Sequence, residues 1–157
     1  MTRSVAVRLL FFAGGLVLLG TQAAQAAGPY QFFSVPPCRI ADTRNPVGPT
    51  GGPALAAGAP RNFPVTGLCN VPGTAKAAVL NVTLVQPSQD GFLLIWPYNT
   101  GMPVVSTINA AAGEPAIANG AIVPLTTDPN FNISVVYGTG SPGGTAHVIF
   151  DVTGYFQ

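Results

Sequence analysis

What most limits the fold of this chain is the spacing of its prolines and glycines. The 157 residues include 16 prolines and 19 glycines. Downstream of residue 26 they interrupt the chain so often that no sustained 3.6-residue apolar period develops. Proline in a helix interior removes a donor and clashes with the preceding turn, and glycine there costs about 1 kcal/mol relative to alanine. Alanine-rich pieces such as ALAAGAP and INAAAGEPA are therefore stopped after one turn. What survives between the breaks are short β-branched and aromatic runs: YQFFSV (30–35), CRIADT (38–43), RNFPVT (61–66), AKAAVLNVTLVQ (75–86), FLLIWPY (92–98), VVSTIN (104–109), AIANGAIVPLT (116–126), FNISVVY (131–137) and TAHVIFDVT (145–153).

In the longest of these, Ala78, Leu80, Val82 and Leu84 share one face and Val79, Asn81, Thr83 and Val85 the other, the period of a strand. PSQDG, with Asp90-Gly91, reads as a tight hairpin turn into FLLIWPY. CRIADT follows a Pro-Pro break, residues 45–60 form a long loop, and Pro64 assigns RNFPVT to a sheet edge. About eight or nine short strands with frequent turns predict an all-β fold, an antiparallel two-sheet sandwich of Greek-key or jelly-roll type.

The N-terminus reads differently. Arg3 and Arg8 lie in a short basic start, an apolar run, LLFFAGGLVLLG (9–20), follows, and TQAAQAA then offers an Ala-x-Ala site at Ala24–Ala26. This is the pattern of a secretory leader, and the run is shorter than the ~20 apolar residues of a membrane span. The expectation is cleavage after Ala26, leaving a single domain over 27–157, with no membrane span after cleavage and a secreted, extracellular or cell-surface location. Two cysteines, Cys38 and Cys69, then read as one disulfide in an oxidising compartment.

After removal of the leader, Arg39, Arg44, Arg61 and Lys76 face Asp42, Asp90, Glu114, Asp128 and Asp151. Nothing here forms a basic stripe for phosphates or a polybasic membrane anchor, so nucleic acid is not an expected partner. Hydrophobic residues make up 48% of the sequence, too many for a disordered chain. A surface this poor in charge offers little repulsion against association.

The scarce charges concentrate beside the first cysteine, in PPCRIADTRNP. In an extended chain Cys38, Ile40, Asp42 and Arg44 lie on one side and Arg39, Ala41 and Thr43 on the other. Asp42 and Arg44 are placed to pair, and Asp42 could also accept from amides of the glycine-rich segment that follows. The reading is a structural ion and hydrogen-bond cluster of Arg39, Asp42, Arg44 and Asp151, with a catalytic or metal-binding aspartate as the competing one.

The opening PPCRIADTRNP, the central CNVPGTAKAAVLNVTLVQPSQDGFLLIWP and the closing HVIFDVTGYF together resemble a family of secreted bacterial β-domains. That family opens on Pro-Cys-Arg-x-x-Asp-Thr-Arg and closes on Asp-Val-x-Gly-Tyr-Phe. Cys38, Arg39, Asp42, Thr43, Arg44, Asp151, Gly154, Tyr155 and Phe156 match the two signatures, and Ile40-Ala41 stand where the family often has Leu-Val. The resemblance implies an extracellular β-sandwich module with a cysteine pair. It implies no particular activity.

Signals for chemistry are sparse. His147 is the single histidine, and four strand residues separate it from Asp151 by about 13 Å, too far for a dyad. No Gly-x-Ser-x-Gly elbow and no zinc ligand set are present. A glycosidase pair would have to come from Asp42, Asp90, Glu114, Asp128 and Asp151, of which Glu114 is the freest. The loop TTDPNFN makes Asp128 a calcium candidate, although its spacing is not that of an EF-hand. Trp96, Tyr98 and Asn99 could form a sugar platform, against the plainer reading that Trp96 packs in the core. Asn81-Val82-Thr83 and Asn132-Ile133-Ser134 match the glycosylation sequon. GPYQFFSV is either the first strand of its own sheet or an arm that adds to a neighbour's.

These readings converge on a non-enzymatic structural or adhesive module acting through protein contacts, with itself or another cell-surface component. A carbohydrate-binding module is the alternative and a secreted hydrolase the third. No catalytic residue and no cofactor is assigned.

Overall fold

A computed structural model describes residues 29–157; the expected leader, 1–26, lies outside the described residues. These residues form nine strands and no helix: β1 (Phe32–Asp42), β2 (Leu55–Ala56), β3 (Arg61–Phe63), β4 (Ala77–Val85), β5 (Gly91–Pro97), β6 (Ile108–Ala110), β7 (Ala116–Pro124), β8 (Ile133–Thr139) and β9 (Thr145–Phe156). One sheet has the order β1-β9-β4-β7, with β2 also pairing β9, and the other is β3-β8-β5-β6. All these ladders are antiparallel. The architecture is the two-sheet sandwich expected from the spacing of breaks, and no described helix is long and apolar enough to cross a membrane.

The inner faces follow the period-2 reading. Ala78, Leu80, Val82 and Leu84 of β4 are all at most 1% exposed, and Ala146, Val148, Phe150 and Val152 of β9 match them. From the second sheet come Phe63, Leu93, Ile95, Ile133, Val135 and Tyr137. Phe63 meets Phe150 edge-on across the core, with centroids 5.2 Å apart, the geometry favoured by the aromatic quadrupole. Tyr137 is fully buried, and its hydroxyl donates to the Gln89 carbonyl at 2.5 Å.

Several local expectations change. The Asp90-Gly91 turn does not close a hairpin, because β4 and β5 lie in different sheets and the chain crosses between them. Asp90 instead accepts the Ala112 amide at 2.7 Å. Gly91 is required by packing rather than by turn geometry: a Cβ there would strike the Tyr137 ring and the Gly138 carbonyl. The Pro36-Pro37 pair does not break the first strand. The ladder with β9 skips between Ser34 and Cys38, so the two prolines sit in a bulge and β1 continues to Asp42. Of VVSTIN only Ile108 and Asn109 enter β6, while Val104 and Val105 are exposed in the connection before it. The long loop at 45–60 contains the two-residue β2.

The N-terminal aromatics pair within the chain. Phe32 and Phe33 lie opposite Phe156 and Tyr155, with ring centroids 5.4 and 5.3 Å apart. The Phe32 ring lies over Gly154, where a Cβ would collide with it. That contact is the physical use of the glycine in the closing motif.

Candidate functional site

The ion cluster forms where the C-terminal half of β1 meets the middle of β9. Arg39 lies opposite Asp151, and a second irregularity in the ladder falls between Arg39 and Ala41. This irregularity corrects the simple alternation that placed Arg39 and Asp42 on opposite sides. With the strand twisted there, Arg39 reaches both carboxylates. Its Nε and Nη2 donate to Asp151 Oδ1 and Oδ2 at 2.8 and 3.1 Å, and Nη1 donates to Asp42 Oδ2 at 3.2 Å. Arg44 grips Asp42 in the same forked way, Nε to Oδ1 at 2.8 Å and Nη2 to Oδ2 at 2.6 Å. The Arg44 backbone amide adds a third bond to Oδ1 at 3.1 Å. The result is a chain of alternating charge, Arg44–Asp42–Arg39–Asp151.

Its two carboxylates differ in setting. The Asp42 side chain is 5% exposed and that of Asp151 24%, while both arginine side chains are about half exposed. The Arg44 hydrogen bonds, which outweigh the penalty of burial, hold the Asp42 carboxyl down at about 2. Arg39 is raised, chiefly by its bond to Asp151. A carboxylate held this far down, with both oxygens doubly engaged, does not exchange a proton near neutral pH. Acid–base pairs work by having their two pKa values pushed apart, whereas here one guanidinium bridges the two aspartates and both oxygens of Asp42 are taken up by arginine donors.

The Cys38–Cys69 disulfide sits beside the cluster, with Cα atoms 5.8 Å apart and 31 positions between the cysteines in sequence. Cys69 adopts a left-handed φ of 50° within its turn. Pro37, Cys38, Arg39, Asn81, Asp151 and Thr153 border an open depression of about 410 Å³ on the outer face of the first sheet. Asn81 is exposed there, opposite Asp151. The second sequon is closed, because Asn132 is 2% exposed.

Thr43 extends the network. Its Oγ1 accepts the Val148 amide at 2.9 Å and lies 3.1 Å from His147 Nδ1. His147 is thus a strand histidine bonded to Thr43. Asp128 uses Oδ1 to accept the Asn130 and Phe131 amides at 2.8 and 2.9 Å, an Asx-type turn. Among the described residues no group of three His, Cys, Asp or Glu side chains gathers in a way that could hold a metal.

Trp96 is 7% exposed and packs with Leu94, Val136 and Phe92 in a small cluster separate from the main core. Tyr98 and Asn99 remain accessible, bordering a shallow depression of about 310 Å³ with Thr126, Thr127 and Asp128. Tyr98 tilts against Phe131 at 5.5 Å.

Two organising residues escaped the sequence reading. Arg61 donates to the carbonyls of Pro53, Gly48, Gly51 and Gly52 at 2.7, 2.9, 2.6 and 3.1 Å, and it stacks over Phe63 at 4.8 Å. The glycine-rich segment is therefore tied by a cation on its carbonyls more than by Asp42 on its amides. Asn132 Oδ1 accepts the Val65 and Thr66 amides at 2.7 and 2.8 Å. Its Nδ2 donates to the Thr126 and Asp128 carbonyls at 2.9 and 3.1 Å. Backbone carbonyls carry no sequence signal. For Asn132 the one available hint was an amide flanked by apolar strand residues.

Searches of protein families and of curated proteins find no match to this chain. The motif resemblance therefore rests on the residues themselves.

Proposed function

We propose that this protein is a secreted or cell-surface β-sandwich that works as a structural or adhesive module, joining protein surfaces without chemistry of its own. One contrast carries the reading. The motif ions neutralise one another, while apolar side chains stand on the surface: Phe32, Phe33, Met102, Val104, Val105 and Ile122 are each at least 40% exposed. A poised reaction centre needs ionisable groups left available, and exposed apolar side chains are what contact surfaces present. The leader pattern and the disulfide support export, and the terminal motifs support kinship with bacterial secreted β-domains.

A glycan-binding reading has one observation of its own, the Tyr98–Asn99–Asp128 depression, where an aromatic ring stands beside polar tips. The same experiment separates the two. Beads coated with the exported, oxidised chain are offered to cells that secrete it, before and after the cells are stripped with protease or their glycans oxidised with periodate. Binding lost to protease and kept after periodate supports protein contacts. Binding lost to periodate, together with Tyr98→Ala, moves the function to glycans. Cleavage of a wall polymer that a folded Asp42→Asn variant no longer performs would replace both readings with a hydrolase.

A further inference from the structure

The borders of the two sheets are protected unequally. β1 and the two-residue β2 share one border of the first sheet, and β1 carries Pro36, Pro37, Arg39 and two register irregularities. The second sheet is bordered by β3 and β6, each three residues long, with Arg61 in β3 and Pro64 just after it. Shortness, bulges, proline and charge are the devices that keep exposed strands from pairing with other chains. The remaining border is β7, AIANGAIVP. It runs nine residues, pairs with β4 along its whole length without a register shift, and contains no charge. Its one proline is the last residue. Ile122 on its outer face is 62% exposed and Ile117 on its inner face 36%.

The open side of β7 can be assigned to particular residues. Just past the strand, the Leu125 amide donates to the Lys76 carbonyl at 2.8 Å. In an antiparallel ladder the direction of the backbone polar groups alternates along the strand. Odd-numbered residues of β7 therefore bond to β4, and the N–H and C=O groups of Ala116, Ala118, Gly120 and Ile122 point away from it. Among the described residues no other backbone group bonds to them.

This border is complementary to itself. Laid antiparallel on a copy about a twofold axis at Gly120, it sets Ala118 opposite Ile122, Ile117 opposite Val123, and Ala116 opposite Pro124. The outward-pointing pairs then exchange hydrogen bonds, and the one N–H missing from the register is that of the terminal proline. Parity is kept, so inner-face residues meet inner-face residues and the cores of the two sandwiches align. No charge has to be desolvated. We propose that β7 pairs with β7 of a second copy in this register, joining two sandwiches through their first sheets. The proposal rests on the protein-contact reading above and names its partner and surface. The border is about 30 Å long, and burial on the order of 1,000 Å² lies at the low end for specific complexes, which fits a dimer in exchange with monomer.

The test is sedimentation velocity of the exported, oxidised chain from about 1 μM to about 1 mM, the range in which such contacts exchange. A concentration-dependent monomer–dimer shift that stops at the dimer is expected, because a twofold contact closes on itself. Gly120→Pro removes an outward N–H without touching the β4 ladder, and association weakens at least about tenfold. Gly120→Cys provides a readout that does not depend on that variant folding, since an added Cβ there meets nothing. Paired copies place the two Cα atoms about 5.5 Å apart, within disulfide reach. Gly120→Cys then forms a covalent dimer on mild oxidation, and Ile122→Cys, out of register with itself, does not. A wild-type chain monomeric throughout, or equal cross-linking of the two cysteine variants, overturns the pairing. A dimer unchanged by Gly120→Pro also overturns it, placing the contact elsewhere, with the protease-sensitive adhesion result left to stand or fall separately.

Discussion

Replacing Asp42 with asparagine removes the charge at the centre of the ion chain and keeps its shape. The carboxyl sits at about 2 in the folded protein, against 3.8 for the free group. A folded-state value below the unfolded one means that the charged form stabilises the fold. That contribution is fully present above about pH 4 and drains away as the pH falls toward 2. At 1.36 kcal/mol per pH unit the difference amounts to about 2 kcal/mol. The Asp42 side chain is 5% exposed, but it lies near the surface and the arginine side chains that hold it are about half exposed, so solvent screening makes this figure an upper bound. Urea unfolding of wild type and Asp42→Asn, with the disulfide intact, should therefore show a stability gap that is largest near pH 6. The gap should shrink by about 2 kcal/mol by pH 2, as wild-type Asp42 becomes neutral too. Taking the difference between the two proteins cancels the other acids. A gap constant from pH 6 to pH 2, or an Asp42 carboxyl titrating near 4 by NMR, would show that the arginines do not hold the carboxylate as the geometry states.

Asn132→Ala leaves two interior amides, Val65 and Thr66, without their acceptor; a loss of about 3 kcal/mol in chemical denaturation is expected, and Asn132→Asp should recover only part of it. Arg61→Ala frees the carbonyls of residues 48–53, so amide exchange or protease nicking should accelerate in that loop while β4 and β9 stay protected. Reducing Cys38–Cys69, which closes a separation of 31 residues, should lower the stability by about 3–4 kcal/mol on the chain-entropy account, read as a shift in the urea midpoint.

The cluster itself was half legible. Arg39, Asp42, Arg44 and Asp151 were drawn together by the scarcity of charge, and Asp42 with Arg44 by strand spacing. That Arg39 bridges both aspartates was not legible, because a bulge between Arg39 and Ala41 exists only once β1 is paired with β9. Trp96 shows the same limit. Alternation put it on a face, but that Leu93 and Ile95 would face the opposite sheet while Trp96 joined Leu94, Val136 and Phe92 in a separate cluster depended on how the two sheets pack. The Asp90-Gly91 pair misled for a related reason: its turn chemistry is local, and whether a turn joins strands of one sheet or of two is not.

By itself, the sequence decided much of what acts over a few residues. Downstream of residue 26 proline and glycine argued against helices, period-2 alternation chose the buried faces of β4 and β9, and two cysteines predicted a bridge. The tertiary structure decided which strands pair, where the ladders slip, which carbonyls Arg61 collects and which border is left open at β7. Those outcomes depend on backbone groups every residue carries alike, brought together across long stretches of chain, so no residue type announces them in advance.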